Sequence, residues 1–262
     1  MSAELLLAHA GGLRRLDVLI HPEFMLEESR VKAFWDLVHR RGKGEPVAYL
    51  LGQKAFYGRD FEVGPDVLVP RPETEGAVDL CKEIAPQEAR WLIADICAGS
   101  GNLGVTLCCE FPGFQCLMAD ISLPALEVAQ RNARRFKVDD RALVCQQVLA
   151  SAVRCRSLDL VVCNPPYISP GEYGILSREV VGFEPRIALN GGRDGLETPW
   201  AAVGSIASCL RPGGYLILET GRDQARNIAS GMSGSDSSWS NVLVHSDLRG
   251  DDRFVSAQQV WC

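Results

Sequence analysis

The 262 residues predict an open α/β fold: a doubly wound, Rossmann-like sheet preceded by a small helical domain and a β-hairpin linker. Three observations carry that expectation. From Arg90 onward, short aliphatic runs alternate with amphipathic helical stretches, the pattern of βαβ units and so of a parallel sheet. The first of those runs ends in Gly99-Ser-Gly-Asn-Leu-Gly104, a glycine-rich strand-to-helix turn. In front of them, residues 3–43 have helical apolar spacing, and the texture changes at Glu45-Pro46.

Leu5, Leu6 and Ala8, then Leu13, Leu16, Leu19 and Ile20, then Val31, Phe34, Leu37 and Val38 mark the helical region, with breaks at Gly11-Gly12 and Pro22. It opens directly in a helical pattern, so a domain over residues 1–45 reads as trimmed at its start. Residues 47–52 and 55–69 read as short strands with turns at Gly52, Gly58 and Gly64-Pro65, which makes 46–70 a hairpin linker. Pro70-Arg-Pro-Glu-Thr-Glu75 leads into a helix over 73–85, with proline and acids where a helix start favours them. In the domain over 71–262, strands are expected at Trp91–Ile96, Gln115–Ala119, Ala142–Gln146, Leu158–Cys163 and Tyr215–Glu219. Helices are expected over 103–110, 123–136 and from Thr198 to about Leu210, with an irregular segment from Ile168 to Thr198. The serine-rich stretch 230–238 reads as a mobile loop, and strands over 242–245 and 254–260 close the sheet.

Bulk properties exclude several classes. Apolar residues at 47% and charged ones at 23% suit a soluble globular chain. The net charge of −6 argues against a duplex-DNA binder, which needs a basic face. Ten basic and ten acidic side chains balance within residues 1–71, so the acidity lies beyond them. The ten cysteines include no C-x-x-C pair and read as reduced, mostly buried residues of a cytoplasmic protein. The four histidines lack ligand spacing, so no metal is expected, and no apolar run is long enough to span a bilayer.

The chemistry concentrates at Asn164-Pro165-Pro166-Tyr167. Two prolines stop the aliphatic run before them, because neither donates to a ladder, and they force Asn164 toward an extended conformation. The result is a stiff corner at the carboxyl end of a strand, where open α/β sheets bind ligands. The Asn164 side-chain oxygen and the Pro165 carbonyl can together accept both hydrogens of a planar NH2 group, and the Tyr167 ring can stack on that plane. Such a nitrogen is a poor nucleophile, and fixing it in line with an electrophile lowers the barrier by orientation and preorganised dipoles. No general base is obligatory, since a newly alkylated nitrogen is acidic enough to lose its proton. A purely structural Pro-Pro turn with a packed aromatic would use the same four residues.

The glycine turn fits a dinucleotide or S-adenosylmethionine, because both present a ribose diol that Asp120, about twenty residues on, could receive. Asp95, an acid four residues before Gly99 and ahead of the turn, and the amide-binding corner favour the methyl donor. No basic side chain follows the glycines for a pyrophosphate, although a helix start can bind one unaided. Asp120 could equally be a strand-end cap.

On these residues the chain resembles the release-factor glutamine N5-methyltransferases, the HemK/PrmC family of class I S-adenosylmethionine-dependent methyltransferases. The likeness runs through Gly44-Glu-Pro-Val-Ala-Tyr-Leu-Leu-Gly52, Phe56-Tyr-Gly58, Leu68-Val-Pro-Arg-Pro-Glu-Thr-Glu75, Asp95-Ile-Cys-Ala-Gly-Ser-Gly101, Ala129-Gln-Arg-Asn132 and Asn164-Pro-Pro-Tyr-Ile168. It continues through Phe183-Glu-Pro185, Ala188-Leu-Asn-Gly-Gly-Arg-Asp-Gly-Leu196 and Arg211-Pro-Gly-Gly-Tyr-Leu-Ile-Leu-Glu219. Asn-Pro-Pro-Tyr alone also occurs in adenine-N6 DNA methylases. A sister group that methylates a ribosomal-protein glutamine resembles Pro-Arg-Ser-Pro where this chain has Pro-Arg-Pro-Glu.

The resemblance implies a substrate, the glutamine of the Gly-Gly-Gln loop of class 1 peptide-chain release factors, and a monomeric enzyme with no direct nucleic-acid partner. It implies that Asn164 and Pro165 accept from the glutamine NH2 while Pro166 and Tyr167 wall the amide. Asp95, Cys97, Ala98, Gly99, Ser100, Gly101 and Asp120 would hold the donor's methionine end and ribose, with Asn164 beside them. The amino-terminal helices would help dock the release factor. Two positions depart from the pattern. Cys97 replaces the first glycine of the turn, so the backbone there is expected to take a conformation open to a side chain. Gln146-Gln147-Val148 stands where the family has an acid near the adenine amine, and the Gln147 side-chain oxygen is expected to accept from that amine. Those departures keep open a donor-binding protein without catalysis.

Overall fold

The computed structural model describes residues 2–21, 23–234 and 237–260. The amino-terminal part folds as α1 (Ser2–Gly11), α2 (Arg15–Ile20) and α3 (Glu28–Gly42). Gly12 turns the chain out of α1 at φ +63; Pro22, the other expected break, lies outside the described residues. Val47–Leu51, expected as a strand, is instead a short helix, α4. Five apolar residues cannot separate strand from buried helix by pattern, whereas Pro46 before them and Gly52 after them, at φ +68, punctuate a helix. Tyr49 in α4 is buried and donates its hydroxyl to the Val67 carbonyl at 2.5 Å.

The hairpin is shorter than expected: β1 (Gln53–Phe56) and β2 (Arg59–Glu62) turn at Tyr57-Gly58, both at positive φ as a two-residue hairpin loop requires. Residues 63–69 pair with no strand. Phe56 and Phe61 meet edge-on, with 6.0 Å between ring centroids, and are buried in the main core.

After a 3-10 turn at Pro72–Thr74 come α5 (Glu75–Ile84), β3 (Leu92–Ile96), α6 (Asn102–Glu110), β4 (Gln115–Asp120), α7 (Leu123–Arg135), β5 (Ala142–Gln146) and β6 (Leu158–Cys163). The segment after β6 is more ordered than expected, holding a 3-10 turn at Glu172–Ile175, α8 (Arg178–Phe183) and another turn at Arg186–Ala188. Then follow α9 (Glu197–Ala207), β7 (Leu210–Glu219), α10 (Ala225–Met232), β8 (Trp239–Ser246) and β9 (Asp252–Gln259). β7 starts earlier than expected because Leu210 already pairs with Leu158 before a register shift. Ser230–Met232, expected in a mobile loop, end α10 with Met232 buried; residues 235 and 236 lie outside the described residues.

The sheet order is β5-β4-β3-β6-β7-β9-β8, parallel up to β7, with β9 antiparallel to both of its neighbours. β6 is buried at all six positions, as a strand covered on both faces must be. Its residues alternate sides: Leu160 and Val162 join Ile93 and the phenylalanines, while Val161 and Cys163 join the core beneath α9 and α10. Strand order reverses between β3 and β6, so the crevice outside their carboxyl ends is where this topology places a ligand.

Candidate active site

A cavity of about 420 Å³ opens at that reversal. Of the residues singled out in the sequence, Asp95, Cys97, Ala98, Gly99, Ser100 and Asp120 line it from β3 and β4. Val148, Asn164 and Pro166 line it from the β5 and β6 side. Gly101, Gln147, Pro165 and Tyr167 are not among the lining residues.

The β3–β4 half is built from backbone amides and two acids. Asp120 accepts from Gly99 N through Oδ2 and from Ser122 N through Oδ1, each at 2.9 Å. Both bonds fix the carboxylate at the strand end with lone pairs left for a vicinal diol. Asp95 is buried and accepts from Gly104 N at 2.8 Å. Burial pushes its carboxyl up to about 7, helped by the nearby Asp120 charge and opposed by the Gly104 N–H. Gly101 turns at φ +74, where an added Cβ would lie 3.0 Å from Ala129 Cβ and Met118 Sδ. Gly99, at φ +53, faces open space, so a ligand can approach its backbone.

Two expectations are corrected here. Cys97 keeps the left-handed backbone, φ +63, that a glycine would adopt, so the turn tolerates local strain instead of changing conformation. Gln147 Oε1 is committed to Ala152 N at 2.6 Å, and its Nε2 is buried without a partner among the described residues. Its carbonyl closes the turn after β5 and does not face the cavity. The adenine-sized end is instead apolar, with Ile121 and Val148 about half exposed at its edge and Leu149 beside them.

The β6 half is the proline corner. Pro165 is buried, and among the described residues nothing donates to its carbonyl or to Asn164 Oδ1. Asn164 Nδ2 donates to Thr74 Oγ1 at 3.4 Å, which turns Oδ1 the other way. Tyr167 does not face the cavity: its hydroxyl reaches Glu219 Oε1 at 3.5 Å, and burial pushes that hydroxyl's pKa up. Its carbonyl accepts from Gln224 Nε2 at 2.9 Å, and the same nitrogen reaches Gly195 O at 3.2 Å. Ile168 and Gly191 tie the loop 190–195 to the corner through Gly191 N donating to Ile168 O at 2.9 Å. Beneath Arg71 on the cavity wall, the buried Glu184 accepts from Arg71 Nη2 at 2.7 Å and from Val69 N at 3.2 Å.

Thr74, Glu184, Glu219 and Gln224 were matched in the sequence only as parts of motifs or not at all. Glu184, beside Pro185, and Glu219, at the end of an aliphatic run, are acids where an apolar residue would be ordinary; Thr74 and Gln224 give no such signal.

The cavity fits S-adenosylmethionine. It offers a glycine turn open to close approach, a fixed carboxylate for the ribose diol, apolar edges for adenine, and a second acid to face a cationic methionine end. A sheet with this strand order and such a cavity at its switch point defines a class I S-adenosylmethionine-dependent methyltransferase. Solved structures agree in fold. The chain superposes with TM-score 0.53 on a ribosomal protein L11 methylase from Lactobacillus delbrueckii subsp. bulgaricus, at 16% identity over 79% of this chain and 90% of that one. A SAM-dependent O-methyltransferase from Thermotoga maritima gives 0.51 at 10% identity, over 75% and 68%.

Residues 1–52 match the PrmC N-terminal domain and 75–180 the Methyltransferase small domain. The release factor glutamine methyltransferase of Nitratidesulfovibrio vulgaris is 44% identical over 99% of this chain and 88% of that protein. That of Koribacter versatilis is 37% identical over 97% and 89%. The chain belongs to the release factor glutamine methyltransferase family.

Proposed function

We propose that this chain transfers the methyl group of S-adenosylmethionine to the side-chain amide nitrogen, N5, of the glutamine in the Gly-Gly-Gln loop of class 1 peptide-chain release factors. One observation carries the reading: two acceptors without donors among the described residues, Asn164 Oδ1 and the Pro165 carbonyl, stand at the end of β6, next to the glycine turn of β3. The names of the N. vulgaris and K. versatilis relatives support the same substrate.

When bound, S-adenosylmethionine supplies a methyl carbon on a cationic sulfur that leaves as a neutral thioether. Asn164 and Pro165 take one amide hydrogen each, so the nitrogen is held with a fixed face toward the glycine turn. Their two oxygens also face the positive charge that grows on that nitrogen, and dipoles already in place need no reorganisation. The proton then leaves to solvent, and no side chain has to act as base. Pro166 lines the wall, and Tyr167 braces the corner from behind instead of stacking on the amide. Asp120 binds the ribose diol and Asp95 faces the methionine end.

In this reading residues 1–45 dock the release factor, 46–70 link, and 71–262 carry the reaction, in a cytoplasmic monomer. Leu16, Leu19, Ile20 and Trp35 on the amino-terminal helices, and Phe24 between α2 and α3, are each more than half exposed and offer the docking face. The test uses methyl-labelled donor with an unmodified release factor, the same factor with its loop glutamine changed to alanine, or duplex DNA. Label on the first alone is expected; label on DNA, on the alanine variant or nowhere overturns the proposal. Asn164→Ala is expected to lower turnover by about 100-fold or more while calorimetric donor binding survives.

A further inference from the structure

Below the corner, Thr74 and Tyr167 both approach one buried carboxyl. Asn164 Nδ2 donates to Thr74 Oγ1 at 3.4 Å. The Thr74 hydroxyl lies close enough to Glu219 to favour its ionised form, and Glu219 Oε2 has no hydrogen-bond partner among the described residues. Tyr167 donates to Glu219 Oε1 at 3.5 Å. Glu219 ends β7 beside β6 and is 2% exposed. Nothing in the transfer chemistry uses this group.

The direction of the chain follows from what each atom can do. A carboxylate only accepts, so an ionised Glu219 takes the single hydrogen of Thr74. Thr74 Oγ1 is then an acceptor for the Asn164 NH2, and Asn164 Oδ1 is left facing the substrate. A carboxylic acid can donate. Once Glu219 is protonated, Thr74 can accept from it and pass its own hydrogen to Asn164 Oδ1, with the amide turned over. The NH2 of Asn164 would then face the NH2 of the incoming glutamine, donor against donor. Asparagine's two ends are nearly equal in size, so packing alone does not choose between them.

We propose that Glu219, acting through the Thr74 hydroxyl, is a positioning residue that sets which end of the Asn164 amide faces the substrate, its carboxylate form selecting the productive end. The inference deepens the proposed function and rests on Asn164 being the amide acceptor. Burial pushes Glu219 up to about 7, opposed by the Thr74 hydrogen bond and the Arg253 charge, so both forms are accessible near neutrality. The groups facing it are Arg253 from β9, Glu73 and Thr74 from the turn before α5, Tyr167 from the corner and Cys163 from β6. Tyr167 and Cys163 are both pushed upward by burial, away from neutral pH. Asp95 also lies at about 7, in the donor turn, so the test compares variants and does not read one profile.

The experiment measures kcat and KM for an unmethylated release factor, at saturating donor, from about pH 6 to about pH 8.5. It uses wild type, Glu219→Gln, Thr74→Val, Thr74→Ser and Asn164→Ala. At the upper pH, Glu219→Gln and Thr74→Val are expected to lose roughly 10- to 100-fold in kcat, with KM and donor affinity within about twofold. The wild-type advantage should shrink toward unity at the lower pH, where wild type is itself protonated, and Thr74→Ser should restore turnover. An advantage that does not change with pH, or a wild-type-like Thr74→Val, overturns the inference. Thr74→Val is isosteric and leaves the carboxyl in place, so it tests the link even if Glu219→Gln folds poorly. If Asn164→Ala keeps its turnover, the amide-acceptor reading falls. If only Asn164→Ala is impaired, the relay alone is wrong.

Discussion

Gly191→Ala tests whether the loop 190–195 holds the proline corner in place. Gly191 presses on Tyr167: a Cβ built there would lie 2.6 Å from Tyr167 Cα, 2.7 Å from its carbonyl carbon and 2.7 Å from Gly195 O. All three are backbone atoms, so no flexible side chain can yield. Gly191 is not at positive φ, which makes crowding the whole effect. Ordinary contact begins at 3.4 Å, so the corner or the loop must move by about 0.8 Å. Overpacking of this kind costs about 1–3 kcal/mol in stability. A displacement near 1 Å of the group that orients a reacting atom costs on the order of 100-fold in rate. The donor half hangs on β3 and β4, so its affinity should not change. Turnover on release factor together with calorimetry of the donor reads both, and Gly204→Ala, on open helix surface, is the control. Wild-type turnover in a folded Gly191→Ala protein would mean that the loop moves outward and does not position the corner.

Two further outcomes follow from the donor half. Cys97→Gly removes a side chain from φ +63, and the relief of about 1–2 kcal/mol outweighs the added chain entropy, for a net gain of up to about 1 kcal/mol by thermal unfolding; a clear loss would show that the cysteine's packing matters more than its backbone. Asp95 ionises at about 7 in the folded chain against 3.8 in the open one, so between those values the folded state binds the extra proton and stability contributed by this site falls as pH rises. The stability of Asp95→Asn relative to wild type should therefore climb by a few kcal/mol, in order of magnitude, from about pH 4 to about pH 7 and then level off; parallel denaturation curves would refute it.

The parallel half of the sheet was legible because each strand is a short aliphatic run bounded by glycine, proline or a helix start, and β6 with its two prolines left no alternative. α4 was not, since Ala48–Leu51 read the same either way and the deciding contact, Tyr49 to Val67, is tertiary. The insertion of β9 between β7 and β8 likewise depends on pairing that no local pattern states. In the site, Asn164 and Asp120 could be placed on the cavity wall because their positions follow from a strand end and a fixed spacing. Gln147 could not, because the competitor for its oxygen is a backbone amide five residues on. Thr74, Glu219 and Gln224 were out of reach: they meet Asn164 and Tyr167 only after the chain has closed.

That difference in range separates two kinds of defect. The donor half is assembled from residues 95–122 with Val148 and Leu149 across one edge, bonded largely within one βαβ unit. The acceptor half is held by Thr74, Gly191 and the segment from Glu219 to Gln224, drawn from three separate parts of the chain onto one corner. Local structure survives small shifts elsewhere, whereas a corner braced from three directions moves when any one of them does. Substitutions far from the cavity should then lower kcat while leaving the donor bound, because the bracing they disturb reaches the glutamine amide and stops short of the glycine turn.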